Sequence, residues 1–119
     1  MPLSSTPKAE PFSRNHLLRD ASYQAVYDAM KQDSAIHIFG EGALVKVHYD
    51  APKIETDFGK RVHTLPISED GTTNFAVGAS LLGVKPIVDI ISSDFLFRAM
   101  DSICNTAAKL NFLRPQEEG

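Results

Sequence analysis

One stretch of this 119-residue chain gathers the residue types that move protons: Pro66-Ile67-Ser68-Glu69-Asp70-Gly71. It lies between a β-prone run, Arg61-Val62-His63-Thr64-Leu65, and a small-residue run that reads as a helix. A carboxylate at a helix start is stabilised by unpaired backbone N–H groups, commonly by ~0.3–1 kcal/mol, so Glu69 and Asp70 can both be capping residues. The other chemistry open to them is proton exchange with a ligand, because ligands of parallel sheets gather where strands run into helices. A second stretch, Gly40-Glu41-Gly42, follows the apolar run Ile36-His37-Ile38-Phe39. It begins like a dinucleotide-binding fingerprint, but the third glycine and the following helix are missing, and a turn is the plainer reading.

The remaining reactive types assemble into nothing comparable. The four histidines, His16, His37, His48 and His63, include no pair at i, i+4, so no metal site is expected. His37 and His63 fall in strand-like runs and read as hydrogen-bonded structural residues. Ser68 lacks the flanking glycines of a nucleophile elbow, and sequence order assembles no Ser-His-Asp set. The single cysteine, Cys104, falls on the apolar side of the last helical pattern and reads as a small core residue.

The elements that must position Glu69 follow from periodicity. Leu17, Leu18, Tyr23, Val26, Tyr27 and Met30 predict a helix over about 15–32, and Asp33-Ser34 a turn. Ile36 to Phe39 predicts a buried strand stopping at Gly40. Residues 41–59 predict loop and a short helix, and residues 61–65 a second strand closed by Pro66. The small residues between Gly71 and Gly83 predict a helix with Gly83 as its C-terminal cap. Pro86 opens a third strand, Ile87-Val88-Asp89-Ile90-Ile91. From about Asp94 to Leu113, Phe97, Met100, Ile103, Cys104, Ala107 and Leu110 mark the apolar face of a final helix capped by Ser93 or Asp94, with Arg98, Asp101 and Ser102 off that face. Strands alternating with helices predict an α/β fold in three layers, a mainly parallel sheet flanked by helices. A three-stranded sheet leaves an edge open, so a partner chain is expected to cover it. The expected organisation is a flexible tail over 1–14, one domain over 15–114 and a short tail over 115–119.

Composition excludes several classes. There are 12 Lys and Arg against 15 Asp and Glu, a net charge of −3, which argues against binding nucleic acid or anionic membranes through clustered positive charge. No apolar run approaches the roughly 20 residues of a membrane helix, and the first ten residues carry no signal-peptide core. One cysteine forms no internal disulfide, and a cytoplasmic location is expected.

A resemblance sharpens the chemistry. Leu65-Pro66-Ile67-Ser68-Glu69-Asp70-Gly71, Phe75-Ala76-Val77-Gly78-Ala79, Gly83-Val84-Lys85-Pro86-Ile87-Val88-Asp89, Ser93-Asp94-Phe95 and Met100-Asp101-Ser102-Ile103-Cys104-Asn105-Thr106-Ala107-Ala108-Lys109-Leu110 follow one another in order. Together they resemble the beta subunit of the thiamine-diphosphate-dependent component of 2-oxoacid dehydrogenases, of the pyruvate, branched-chain and acetoin types. Gly40-Glu41 is similar to that family's glycine–glutamate segment, and the likeness runs from about Tyr23 to Leu113. The resemblance implies the first part of a pyrimidine-binding domain. It implies that Glu69 hydrogen-bonds a pyrimidine ring nitrogen of the cofactor and favours the imino form that takes the thiazolium proton. It also implies that Phe95 packs on the pyrimidine, that Ile67 lies beside the same ring, and that Glu41 supports the cofactor site from one layer back.

The chain departs from that pattern in two ways. The Gly-Asp-Gly…Asn motif that holds the diphosphate and Mg2+ belongs to the family's alpha subunit and is missing here, so an alpha-type partner and an oligomeric assembly are expected. The family's later strands, its histidine-bearing loop and its C-terminal domain are not matched either, and Val45-Lys46-Val47-His48-Tyr49-Asp50 replaces a glycine-rich stretch. The expected function is that of a beta-type subunit or fragment of such an oxidoreductase, active only with partner chains. The alternative is a non-catalytic interaction or regulatory module that keeps the fold.

Overall fold

The computed structural model of the chain describes residues 14–41 and 51–113. Residues 1–13 and 115–119 of the expected tails, the third residue of Gly40-Glu41-Gly42 and the 45–50 replacement lie outside these residues, while Arg14, expected in the tail, opens the first helix. Within them the order is α1 (Arg14–Gln32), β1 (Ile36–Gly40), α2 (Ala51–Phe58), a 3₁₀ turn (Gly59–Arg61), β2 (Val62–Thr64), α3 (Glu69–Ser80) and β3 (Lys85–Asp89). A 3₁₀ run (Ser93–Ala99), a π turn (Ser102–Thr106), a 3₁₀ turn (Ala107–Lys109) and the short helix α4 (Leu110–Leu113) follow.

The three strands form a parallel sheet in the order β2-β1-β3. Alternation along β1 divides its side chains between two layers. Ile38 packs with Met30 of α1 and Ile54 of α2, and Tyr23, Val26, Tyr27, Ile36, Phe58, Val62 and Ile87 close around that core. On the other face Phe39 meets the edge of Phe75 from α3 at 5.5 Å. His37 Nδ1 and His63 Nε2 lie 2.9 Å apart on this face, so one ring donates its N–H to the other. The Phe39 ring stacks on His63 at 4.8 Å.

Arg61 closes the end of α1. Its guanidinium donates to the carbonyls of Met30 (2.7 Å), Asp33 (2.8 Å) and Ile36 (3.3 Å), and lies over the Phe58 ring. Met30 lies in the last turn of α1, Asp33 in the turn that follows and Ile36 at the start of β1, so one fixed fork of donors ties the helix end to the strand. At the end of α3, Gly83 adopts φ +89° while Gly83 N donates to Ser80 O and Val84 N to Ala79 O. That paired closure needs a left-handed residue, as Gly83 was expected to supply.

Two elements depart from the sequence reading. The third strand covers Lys85–Asp89 rather than 87–91, with Pro86 inside it. Lys85 N donates to Ala35 O, so the next position, where Pro86 has no N–H, faces the open edge. The single helix expected over 94–113 is replaced by a sequence of 3₁₀ and π turns that ends in the short α4, and of its expected apolar face only Ile103 and Leu110 are half-buried. Phe97, Met100, Cys104 and Ala107 are exposed, whereas Ala99 and Ser102 are wholly buried. The inward side of this segment is thus set by Ala99 and Ser102, which the expected apolar face did not include. Cys104 is therefore a surface residue, not a core one. Ser92, not Ser93 or Asp94, precedes the first turn, and it makes no side-chain cap.

Candidate functional site at the carboxyl edge of the sheet

The strands end level with one another, since Gly40 pairs with Thr64 on one side and Asp89 on the other. A Cβ on Gly40 would lie 2.9 Å from Asp89 Cβ and 3.0 Å from its carbonyl oxygen, so only glycine allows this approach. Beyond the strands, Leu65 N donates to Gly40 O at 2.7 Å, and Ser68 N donates to Glu41 Oε1 at 3.0 Å. The loop after β1 thus holds the loop after β2, which delivers Ser68 and Glu69 to the start of α3.

The three polar residues there divide the work. Ser68 is the N-cap, and its Oγ accepts from Gly71 N at 3.2 Å. Asp70 is committed to packing. The Ser102 hydroxyl donates to its Oδ1 and, at 3.1 Å, to its carbonyl oxygen, and Asn74 Nδ2 approaches its Oδ2 at 3.4 Å. Glu69 is 7 % exposed, yet among the described residues its carboxylate accepts no hydrogen bond. Its charged neighbour is Arg98, whose Nε lies 3.7 Å from Oε2, beyond hydrogen-bond reach. Capping, the alternative reading for both acids, is carried out by Ser68, and Glu69 is left over.

Glu69 opens on a recess of about 440 Å³ lined by Ile67, Ser68, Glu69, Asp70, Arg98 and Asp101. The residue is largely buried, and its carboxylate, with Arg98 as its charged neighbour, borders space that a ligand can enter. Of the other residues expected at the site, Ile67 lines the recess and is 79 % exposed. Glu41 supports the loop from behind through Ser68. Phe95 sits in the 3₁₀ run, 44 % exposed, and is not among the lining residues. Sequence reasoning did not find Arg98, Asp101 or Ser102, because a helix over 94–113 turns all three toward solvent. No spacing signal marks the succession of 3₁₀ and π turns that sets Arg98 beside Glu69, Asp101 on the recess and Ser102 against Asp70.

Elsewhere, the His37–His63 pair lies under α3, away from the recess lining. Burial, followed by the charges of His63 and Arg61, holds the His37 imidazole below its ordinary value. Among the described residues no three His, Cys, Asp or Glu side chains converge as a metal-ligand set, and no helix is long and apolar enough to cross a membrane.

Residues 16–114 match the family model described as the transketolase pyrimidine-binding domain. The chain belongs to this family. Its parallel α/β layers are therefore those of a pyrimidine-binding domain. The chain is 36 % identical over 96 residues to the mitochondrial 2-oxoisovalerate dehydrogenase subunit beta of Chaetomium thermophilum, covering 76 % of this chain and 20 % of that protein. It is 37 % identical over 99 residues to the mitochondrial pyruvate dehydrogenase E1 component subunit beta of Saccharomyces cerevisiae, with 81 % and 27 % covered. Against the pyruvate dehydrogenase E1 component subunit beta of Rickettsia bellii the identity is 36 % over 101 residues, with 81 % and 30 % covered. This pyrimidine-binding domain thus spans less than a third of the length of these relatives.

Proposed function

We propose that this chain is the pyrimidine-binding part of a beta-type subunit of a thiamine-diphosphate-dependent 2-oxoacid dehydrogenase, with Glu69 hydrogen-bonding the cofactor's aminopyrimidine. The observation that carries the reading is the placement of Glu69: a largely buried residue whose carboxylate, held by no hydrogen bond among the described residues and facing Arg98 at 3.7 Å, opens on a recess at the carboxyl edge of the sheet. The residues present fit such a ring: Ile67 offers an apolar side chain beside it and Glu69 an acceptor for a ring N–H. Thiamine diphosphate, when bound, supplies the carbon nucleophile used on 2-oxoacids.

What the chain's own residues do follows from their placement. Glu69 stands in the first turn of α3, where its Oε atoms can accept a hydrogen bond or a proton from a ligand in the recess. A hydrogen bond from the ring to this carboxylate is charge-assisted, and such bonds are roughly twice as strong as neutral ones. Ser68 and Glu41 keep the carboxylate in place by fixing the loop that carries it. The recess sets three acids, Glu69, Asp70 and Asp101, against Arg98 alone, which is the wrong balance for a diphosphate. We therefore assign the diphosphate and Mg2+ to an alpha-type partner, with the cofactor shared across the contact.

Calorimetric titration of thiamine diphosphate with Mg2+ into the chain mixed with an alpha-type subunit tests this. Binding that Glu69→Gln abolishes is expected. Binding untouched by Glu69→Gln, or none with any alpha-type subunit, overturns the reading and favours the non-catalytic module.

A further inference from the structure

Arg98 occupies a position that the proposed chemistry does not require. Its guanidinium stands over the same carboxylate that a pyrimidine must reach, with Nε 3.7 Å from Glu69 Oε2. The contact is too long for a hydrogen bond, and the arginine side chain is 74 % exposed, so little burial is lost when it swings away. Its backbone, by contrast, is anchored. The neighbouring Ser102 is wholly buried, and its hydroxyl fastens this segment to Asp70 in the first turn of α3. Asp101 lines the recess three residues along and offers a second acceptor for a displaced guanidinium.

From this arrangement we infer that Arg98 is a positioning residue that gates Glu69. In the ligand-free chain it shields the carboxylate electrostatically, and an incoming aminopyrimidine displaces it. The inference rests on the reading of Glu69 given above and adds a regulatory element to the same recess. Two consequences separate a gate from an ordinary surface ion pair. Removing the guanidinium tightens binding of an uncharged ring, because the competitor is gone. Salt acts the same way on the wild type, since it screens a partly exposed pair, and has no such effect once the arginine is absent.

The test uses the full chain and a phosphate-free probe, 4-amino-5-hydroxymethyl-2-methylpyrimidine, titrated by NMR at about pH 8, where the ring is uncharged. Arg98→Gln is expected to bind the probe about two- to five-fold more tightly than the wild type, the range that an exposed ion pair contributes. Wild-type affinity is expected to rise with added salt, Arg98→Lys to keep that salt dependence, and Arg98→Gln to lose it. Equal affinity in the wild type and Arg98→Gln, with binding lost in Glu69→Gln, overturns the gate and leaves the reading of Glu69 standing. Absence of binding in all the proteins overturns both.

Discussion

Replacing Ser102 by alanine tests the anchor on which the geometry of the recess depends. Ser102 is wholly buried, and its single hydroxyl hydrogen is shared between the carbonyl oxygen and Oδ1 of Asp70. Alanine fills nearly the same volume, so the cavity left is small and the loss is one of hydrogen bonding. Leaving a partly buried carboxylate oxygen without its donor costs about 1–3 kcal/mol. Asp70 is only half-buried and water can reach it, which places Ser102→Ala near 1.5 kcal/mol on that scale. The unfolding entropy of a chain of 119 residues is roughly 0.25 kcal/mol/K, so the expected drop in Tm is about 6 °C. Urea unfolding followed by circular dichroism measures the change. Asp70→Asn, alone and combined with Ser102→Ala, completes a double-mutant cycle with an expected coupling of about 1 kcal/mol. A Ser102→Ala protein within about 0.3 kcal/mol of the wild type, or strictly additive effects in the cycle, would refute the anchor.

Two further predictions concern the scaffold. Arg61→Ala removes the donors to the carbonyls of Met30, Asp33 and Ile36, between α1 and β1, and the stacking on Phe58, and is expected to destabilise by about 2–4 kcal/mol, read from the urea midpoint; an unchanged midpoint would show that water replaces the guanidinium. The His37 imidazole is held low in the folded chain, so below its ordinary value near 6.5 the unfolded chain takes up the proton first. Stability is therefore complete above that pH and falls as acidification proceeds toward the lower folded value. His37→Asn is expected to flatten the urea midpoint between pH 7 and 5, and an equally steep decline in the variant would remove His37 as its source.

How much of this was legible depended on how local the signal was. β1, α3 and the Gly83 closure are written in short patterns: an apolar run stopping at a glycine, small residues after a serine cap, a glycine where φ must be positive. The parallel layering followed from the alternation of strands and helices. The division of labour among Ser68, Glu69 and Asp70 was not legible, because any of them can serve a helix start. Only the packing of Ser102 against Asp70 shows that Glu69 is left over. The last segment misled because its residues follow a helical period while its backbone winds at 3₁₀ and π pitch. That shift turns Ser102 inward and Cys104 outward, and sets Arg98 over the recess. The family resemblance supplied the role proposed for Glu69; the structure adds that its carboxylate opens on a recess with Arg98 beside it.

The account turns on whether the Glu69 carboxylate makes a hydrogen bond to a pyrimidine ring nitrogen. Nitrogen-15 NMR of ring-labelled aminopyrimidine bound to the chain reads that bond directly. An upfield displacement of one ring nitrogen with the wild type, absent with Glu69→Gln at matched occupancy, is the predicted result. A bound ring whose nitrogens resonate as in free solution, or shift equally in both proteins, would contradict it.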